Sequence, residues 1–260
     1  YCFNQFVAEI YGRKRNFPRF RSAKACVDEI LSVVDKHSEE INSIYIGDDI
    51  FGPNKKWRAE FCSLYKEKVY DKYGIKYMIL MRVEMCQNEE LPRLLKKSGC
   101  YSVFFGVESG DDEFRREVLD RKMKEEAIIN AFNNAHKAGL DTHCANVIGF
   151  PGETEDMIKK TIAFNKRLKP TQTYVGIFYP YKGTSLGDLA FNEGLVDLDK
   201  IKNNDNERRE TVLKFDEEKT QMIMYYFNNW LTLTQPIWVK QRYMVIVRSF
   251  LKRIYLYRVA

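Results

Sequence analysis

The sequence comprises 260 residues, of which 45% are hydrophobic and 14% aromatic, and it carries a formal net charge of +6. This much apolar side chain can build a real core in one large domain, or in one domain with an extension, and it argues against a disordered chain. The sequence contains no run of about 18 apolar residues and no secretory signal pattern, so we expect a cytoplasmic protein. The modest positive charge permits nucleic acid or acidic ligands as partners without indicating either.

The spacing of apolar residues predicts an alternation of strands and helices over most of the chain. Five runs are typical of buried strands, at residues 43–47, 76–81, 101–106, 141–150 and 173–180. Helices are predicted before and between these strands, and the first and last of them begin at the capping residues Ser22 and Thr154. Three glycines end the helices that lie between: Gly74, Gly99 and Gly139.

Strands that alternate with helices indicate right-handed βαβ crossovers and a parallel sheet covered on both faces. Such a sheet is either open or rolled into a barrel. A G-x-G-x-x-G motif after a strand would favour the open dinucleotide-binding fold, and the sequence has none in that position. We therefore predict an α/β fold of the barrel type.

The amino-acid composition of the sequence changes after Gly194. Residues 197–210 are polar and predict an exposed excursion or linker, whereas residues 215–233 predict a helix. Residues 240–260 contain six basic side chains and no acidic one, but the six are scattered around a helical wheel. This pattern favours a packed or partner-bound helix, and it leaves docking to a membrane or to RNA open. The predicted domains are a core at 1–195, a linker at 196–214 and a helical extension at 215–260.

Charged residues follow the predicted strands directly. Asp48 and Asp49 follow the first strand, Arg82 and Glu84 follow the second, and the third runs into Glu108, Ser109 and Gly110; the glycine-rich segment GFPGET (149–154) follows the fourth. Ligands of parallel α/β folds bind at the carboxyl ends of the strands. Arg82 can hold a carboxylate, Asp48 an ammonium and Glu108 ribose hydroxyls, so this edge suits a zwitterionic ligand with hydroxyls.

Each of these residues also has a purely structural interpretation. The aspartates could cap the next helix, Arg82 could form an ion pair with Glu84 or Glu108, and the glycines could merely turn the chain. The combination on one edge favours a binding site over these alternatives.

Six cysteines are spread along the chain without a C-x-x-C pair, so the sequence by itself does not supply a complete set of ligands for a metal site. Four of them fall in predicted helices or beside predicted strands, where a reduced cysteine is usually a small apolar residue: Cys26, Cys62, Cys100 and Cys144. Cys2 differs, because it precedes every predicted element and follows the aromatic Tyr1.

Several segments, in order, resemble the radical S-adenosylmethionine (SAM) enzymes, in particular the subgroup that carries a cobalamin-binding domain ahead of its barrel. The segments are YCFN (1–4), FPRFRS (17–22), IGDDIF (46–51), FFGVESG (104–110), NVIGFPGET (146–154) and YPYKGTSLG (179–187). The resemblance covers residues 1 to about 195 and implies a partial (β/α)6 barrel of the TIM type. YC looks like the end of the C-x-x-x-C-x-x-C motif of that family. This implies that two further ligand cysteines lie upstream and that these 260 residues alone would be inactive.

The resemblance also implies roles for individual residues. Cys2 would bind a [4Fe–4S] cluster, and the backbone of Tyr1 would lie near the adenine of SAM. Gly47 and Asp48 would contact the methionyl ammonium, and Arg82 its carboxylate. Glu108, with Ser109 beside it, would contact the ribose, and the backbone of Gly149 and Phe150 would line the adenine. The resemblance leaves the catalytic residue for the substrate unassigned.

The implied chemistry is reductive cleavage of SAM to a 5′-deoxyadenosyl radical, with an external electron donor and an unknown small-molecule substrate. Tyr179 and Tyr181 would line the site and exclude water. A cobalamin domain upstream would favour methyl transfer. The alternatives are a methylthiotransferase acting on transfer RNA, a barrel that binds a nucleotide or phosphate at 149–154 without radical chemistry, and a protein that docks RNA or membrane through its tail.

Overall fold

The computed structural model describes residues 4–11, 20–202 and 207–235. All five predicted strands are confirmed, as β1 (Ser43–Ile46), β2 (Lys76–Met81), β3 (Cys100–Glu108), β4 (Asp141–Ile148) and β5 (Gln172–Ile177). The helices are α1 (Asn4–Ile10), α2 (Ala23–His37), α3 (Lys55–Tyr65), α4 (Asp71–Tyr73), α5 (Glu90–Lys97), α6 (Glu125–Lys137), α7 (Glu155–Leu168), α8 (Ser185–Asn192), α9 (Leu198–Lys202) and α10 (Glu217–Thr234). Two π-helical turns, at Lys66–Tyr70 and Phe114–Val118, and a 3-10 turn at Val83–Cys86 complete them.

The helix boundaries follow the local signals in the sequence. Ser22 and Thr154 cap α2 and α7 through side-chain oxygens that accept hydrogen bonds from backbone N–H groups, as predicted. Gly74 ends α4 in the left-handed conformation, where a glycine has no side chain to clash. The predicted helix over 215–233 is confirmed as α10.

The sheet is parallel throughout, and its strands lie in the order in which they occur along the chain, β1-β2-β3-β4-β5. An open doubly wound sheet reverses its strand order at a switch point, whereas a barrel adds each strand beside the preceding one. The prediction of a partial TIM-type barrel is therefore confirmed, and five of its strands lie within the described residues.

One face of the sheet packs against the helices and forms the main core. Phe61 and Tyr65 of α3 contact Tyr77 of β2, with ring centroids 5.7 and 4.5 Å apart. On β3, Phe105 packs against Phe132 of α6 at 5.0 Å. All five side chains are buried. At about 2 kcal/mol for each ring, burial of these five aromatic side chains stabilises the fold by about 10 kcal/mol in total.

The other face of the sheet carries side chains that alternate with those of the core. Phe104 and Tyr174 stack with ring centroids 5.4 Å apart, and His143 contacts both rings. Tyr45 of β1 is 60% exposed. Successive side chains of a strand point to opposite faces, so this surface is the inner face of the partial barrel.

The segment after β5 returns to the sheet. Val196 and Leu213 form an antiparallel bridge, and α10 packs against β5 and α7. Trp230 donates a hydrogen bond to Thr173 Oγ1 at 3.0 Å, and the Tyr226 hydroxyl donates to Glu155 at 2.6 Å. The division of the chain into core, linker and extension stays a prediction. The six basic residues of 240–260 lie outside the described residues.

The described cysteines are unpaired thiols. Four of them, the buried thiols, are inaccessible to solvent: Cys62, Cys86, Cys100 and Cys144. Burial raises the pKa of each, for Cys86 to about 12, so that these thiols stay protonated. Cys26 is half-buried on α2 and packs at the margin of the core. These positions confirm the prediction of Cys26, Cys62, Cys100 and Cys144 as small apolar residues, and the structure adds Cys86 to that group.

In the part of the chain that the structure describes, none of the helices is both long and apolar enough to cross a membrane.

Candidate functional site

The carboxyl edge of the sheet brings together residues that are far apart in the sequence. Parallel pairing aligns Ile46 with Ile79, Met81 with Phe105, and Ile148 with Ile177. The residues that follow the strands therefore meet on one rim, as predicted.

At the end of β1, Gly47, Asp48 and Asp49 are exposed. Asp49 accepts a hydrogen bond from the Asn4 side chain of α1 at 2.9 Å. The cap of the next helix, α3, is Asn54, whose side chain accepts from the backbone of the first turn. The aspartates therefore do not cap that helix, and the structural interpretation of them is wrong.

At the end of β2, Arg82 donates to Glu84 Oε1 at 2.9 Å. This is one of the ion pairs that the sequence allowed. The two side chains are 60% and 43% exposed, and a pair in contact with that much solvent contributes about 0–1 kcal/mol. A ligand carboxylate can replace Glu84 at small cost, so the pair holds Arg82 at the rim without blocking it.

The end of β3 has an unusual backbone. The register between β3 and β4 shifts between Gly106 and Glu108, and Glu108 has a φ of 71°, in the left-handed region. That conformation costs a residue with a side chain about 1–2 kcal/mol. The Glu108 carboxylate folds back over Gly106, with Oε1 2.5 Å from where a Cβ on Gly106 would lie. Strain of this kind concentrates at functional sites.

Ser109 and Gly110, the next residues, turn away from the rim. The Ser109 side chain is buried, and its Oγ lies 3.4 Å from Thr161 Oγ1 of α7. The Gly110 N–H donates to the same Thr161 oxygen at 2.9 Å. The structure therefore does not bring the Ser109 hydroxyl together with the rim residues.

At the end of β4, the Gly149–Phe150 backbone is held by Glu153, a residue that the sequence interpretation missed. Glu153 Oε2 accepts the N–H of Gly149 at 2.6 Å and that of Phe150 at 3.3 Å. Glu153 is 2% exposed, and burial raises the pKa of its carboxyl to about 8. Both of these donors are used internally, so they are not available to a ligand. The clue in the sequence was an acidic residue just before the cap Thr154.

At the end of β5, the rings of Tyr179 and Tyr181 lie 5.2 Å apart. The Tyr181 hydroxyl donates to Glu207, which ties this end of the rim to the segment before α10. Thr184 caps α8 just beyond.

The structure adds a second cation to the rim. Arg121 Nη2 donates to the backbone oxygen of Gly106 at 2.5 Å, beside the Glu108 carboxylate. Its Nε is buried and has no hydrogen-bond partner among the described residues. Arg121 does not follow a strand but an irregular segment after a π-helical turn, so its place in the sequence does not indicate that it lies at the rim.

The predicted metal ligand Cys2 and the neighbouring Tyr1 lie outside the described residues, as do the first three residues of FPRFRS, 17–19. The described ranges, 4–11, 20–202 and 207–235, contain no group of three or more metal-binding side chains.

The chain matches a known superfamily of proteins. The model of the Radical SAM superfamily matches residues 1–164, more than half of the chain. The chain belongs to the radical SAM superfamily. An uncharacterised methyltransferase of Pyrococcus horikoshii is 31% identical over 178 residues, which cover 68% of this chain and 37% of that protein. The cytidylyl-2-hydroxyethylphosphonate methyltransferase of Streptomyces wedmorensis is 28% identical over 185 residues, 69% of this chain and 34% of that enzyme. The chain thus spans about a third of the length of these curated relatives.

Among solved structures, the radical SAM methyltransferase TsrM of Kitasatospora setae, with cobalamin and a [4Fe–4S] cluster bound, superposes with a TM-score of 0.53. The match covers 68% of this chain and 35% of TsrM at 20% identity. It shows that the two radical SAM chains share a fold.

Proposed function

We propose that the protein containing this chain is a radical SAM enzyme that binds SAM on the carboxyl rim of its partial barrel and transfers a methyl group to a small molecule. The observation that carries the proposal is the strained Glu108, which presents a carboxylate at this rim in a chain of the radical SAM superfamily.

The described rim residues fit SAM by charge and by hydrogen bonding. The Glu108 carboxylate can accept hydrogen bonds from both ribose hydroxyls, because it has two oxygens held over the glycine backbone. Arg82 offers an exposed guanidinium to the methionyl carboxylate, and Asp48 offers a carboxylate to the ammonium. The acidic rim also favours the positive sulfonium. The backbone of Gly149 and Phe150 would line the adenine.

An iron–sulfur cluster needs ligands from outside the described residues. The four buried thiols are protonated and enclosed in the core, so we assign the cluster to Cys2 and to cysteines upstream of this chain. When bound, such a cluster supplies the electron that breaks a C–S bond of SAM. The role of the described residues is to orient SAM and, through Tyr179 and Tyr181, to exclude water.

The substrate would lie on the inner face of the barrel. Phe104 and Tyr174 offer stacked rings, and His143 and Gln172 offer neutral hydrogen-bonding groups beside them. Burial lowers the pKa of His143, which keeps its ring uncharged at neutral pH. A neutral surface of this kind suits a small organic substrate better than a nucleic-acid backbone. Methyl transfer is supported by the methyltransferase relatives and would require cobalamin from another domain, together with an external electron donor.

The test uses the full-length protein, reconstituted anaerobically with iron and sulfide and supplied with SAM and a reductant. We expect cluster absorbance and 5′-deoxyadenosine, both lost in Cys2→Ala and retained in Cys26→Ala, whose thiol is the most accessible of the described cysteines. Retention of cluster and product in Cys2→Ala would refute the ligand assignment.

A wild-type protein that holds no iron would refute the radical proposal and favour a nucleotide-binding barrel. With methyl-labelled SAM, transfer of label that depends on cobalamin supports methyl transfer. Sulfur insertion into transfer RNA would identify a methylthiotransferase instead.

A further inference from the structure

Arg115 is the second residue of the π-helical turn Phe114–Val118, and its cationic side chain is completely buried. The proposed SAM site does not include it. Its Nη1 donates to the backbone oxygen of Ser109 at 2.8 Å. Its Nη2 bonds the Asp112 carboxylate and lies 3.4 Å from the backbone oxygen of Met123. One guanidinium therefore joins two segments that are separated in the sequence.

These two segments adjoin two of the charged residues of the rim, Glu108 and Arg121. Ser109 directly follows the strained Glu108, and Met123 lies two residues after Arg121. The Arg121 N–H also donates to the backbone oxygen of Arg115 at 2.9 Å. Glu108 and Arg121 meet at Gly106, where one folds over the α-carbon and the other bonds the carbonyl. The distance between the rim carboxylate and the rim guanidinium thus depends on the segments that Arg115 ties together.

Packing alone does not explain an arginine at this position. A buried charge loses its hydration, and a methionine or leucine would fill the same space without that cost. A guanidinium is rigid and planar with donors on several sides, so it can hold two carbonyls at a fixed separation, which a lysine cannot do. On the opposite side of the same turn, the Thr161 hydroxyl accepts from Gly110 and so fixes the exit of the chain.

We propose that Arg115 is a positioning residue for SAM binding: it holds the Glu108–Gly110 turn against the 121–123 segment and so sets the spacing between Glu108 and Arg121. The inference rests on the proposed function, in which Glu108 binds the ribose. It assigns Arg115 no contact with SAM.

The test is a double-mutant cycle on SAM affinity. Full-length protein is titrated with SAM by calorimetry without reductant, so that no turnover occurs. Removal of a charge-assisted hydrogen bond that orients a ligand group is expected to raise the Kd about tenfold in Arg115→Met. The control is Arg116→Met, since Arg116 is an exposed neighbour on the same turn, and it should leave the Kd unchanged. Glu108→Gln provides the second side of the cycle.

If Arg115 acts through Glu108, Arg115→Met should change the Kd by less than about twofold once Glu108 is already Gln, because the two substitutions are then coupled. Equal effects in both backgrounds would overturn the proposal, as would an unchanged Kd in Arg115→Met.

Should Arg115→Met fail to fold, Thr161→Val tests the same turn in the same cycle. It removes the bond from the Gly110 N–H, the contact with Ser109 Oγ and the bond to the Met157 carbonyl, and it leaves the contacts of Arg115 in place. The proposal is supported if Thr161→Val raises the Kd for SAM in the protein with Glu108 and leaves it unchanged in Glu108→Gln. It is overturned if Thr161→Val raises the Kd equally in both. If the wild-type protein does not bind SAM at all, the proposed function itself fails. That result differs from one in which the variants bind SAM as tightly as wild type, which overturns only the role of Arg115.

Discussion

Glu153 gives the sharpest prediction about stability. Its carboxylate is 2% exposed, accepts two backbone N–H groups through Oε2, and has no partner for Oε1 among the described residues. Burial outweighs the two hydrogen bonds and raises the pKa to about 8. The perturbation is Glu153→Gln, which keeps the shape and an oxygen acceptor for both donors but cannot ionise.

The direction of the effect follows from proton linkage. The pKa of Glu153 in the folded protein lies above its ordinary value of 4.5, so the folded state holds a proton that the unfolded chain releases. The stability that this contributes is complete below pH 4.5 and is lost as the pH rises to about 8. Between pH 5 and pH 8 the linkage relation gives a loss of about 3–4 kcal/mol in the free energy of unfolding. Glu153→Gln does not suffer this loss.

The assay is urea unfolding of wild type and Glu153→Gln at pH 5, 6.5 and 8. The stability of the variant relative to wild type should rise steadily with pH, and other titrating groups cancel in the difference. Glu60→Gln, on the exposed side of α3, is the matched control and should show no such trend. A difference that stays constant from pH 5 to pH 8 would show that Glu153 is ionised in the fold, and the argument from its burial would fail.

Three further predictions concern the end of β3 and the cysteines. Gly110→Ala places a Cβ 2.5 Å from the Thr161 α-carbon and should destabilise the protein by about 3 kcal/mol. In the control, Gly194→Ala, the added Cβ meets no atom within 4 Å, and the left-handed backbone alone should cost about 1 kcal/mol. At the left-handed Glu108, the Gly variant should be more stable than the Ala variant by about 1 kcal/mol, the reverse of the usual order; urea unfolding tests both pairs. A thiol reagent should label Cys26 in the folded protein and reach the four buried thiols only after unfolding.

The sequence predicted the frame of the fold well, because its signals are local. Ser22 and Thr154 cap helices through their own side chains, and Gly74 ends one through its own backbone freedom. The choice of a barrel depended on the absence of a glycine motif, and the strand order confirms it. Asp48, Arg82 and Glu108 could be expected on one rim because parallel strands share one carboxyl edge; their roles in binding stay predictions.

Residues that act through tertiary contacts could not be found in this way. Ser109 was expected beside Glu108 on the rim, but the irregularity at the end of β3 and the left-handed Glu108 turn it toward α7. Arg115 and Arg121 lie in a charged, irregular run without periodicity, and only the folded structure shows that both meet the end of β3. Glu153 resembled an ordinary residue of a helix start until its burial was known.

The end of β3 accumulates features that each lower the stability of the fold. It has a shifted register, a left-handed residue with a side chain at Glu108, and the fully buried charge of Arg115. A regular strand end with an apolar side chain in place of Arg115 would be more stable. What these features produce together is a carboxylate and a guanidinium held at one glycine, Gly106. Because the arrangement costs stability and the fold gains nothing from it, it supports the proposal that this rim binds a ligand.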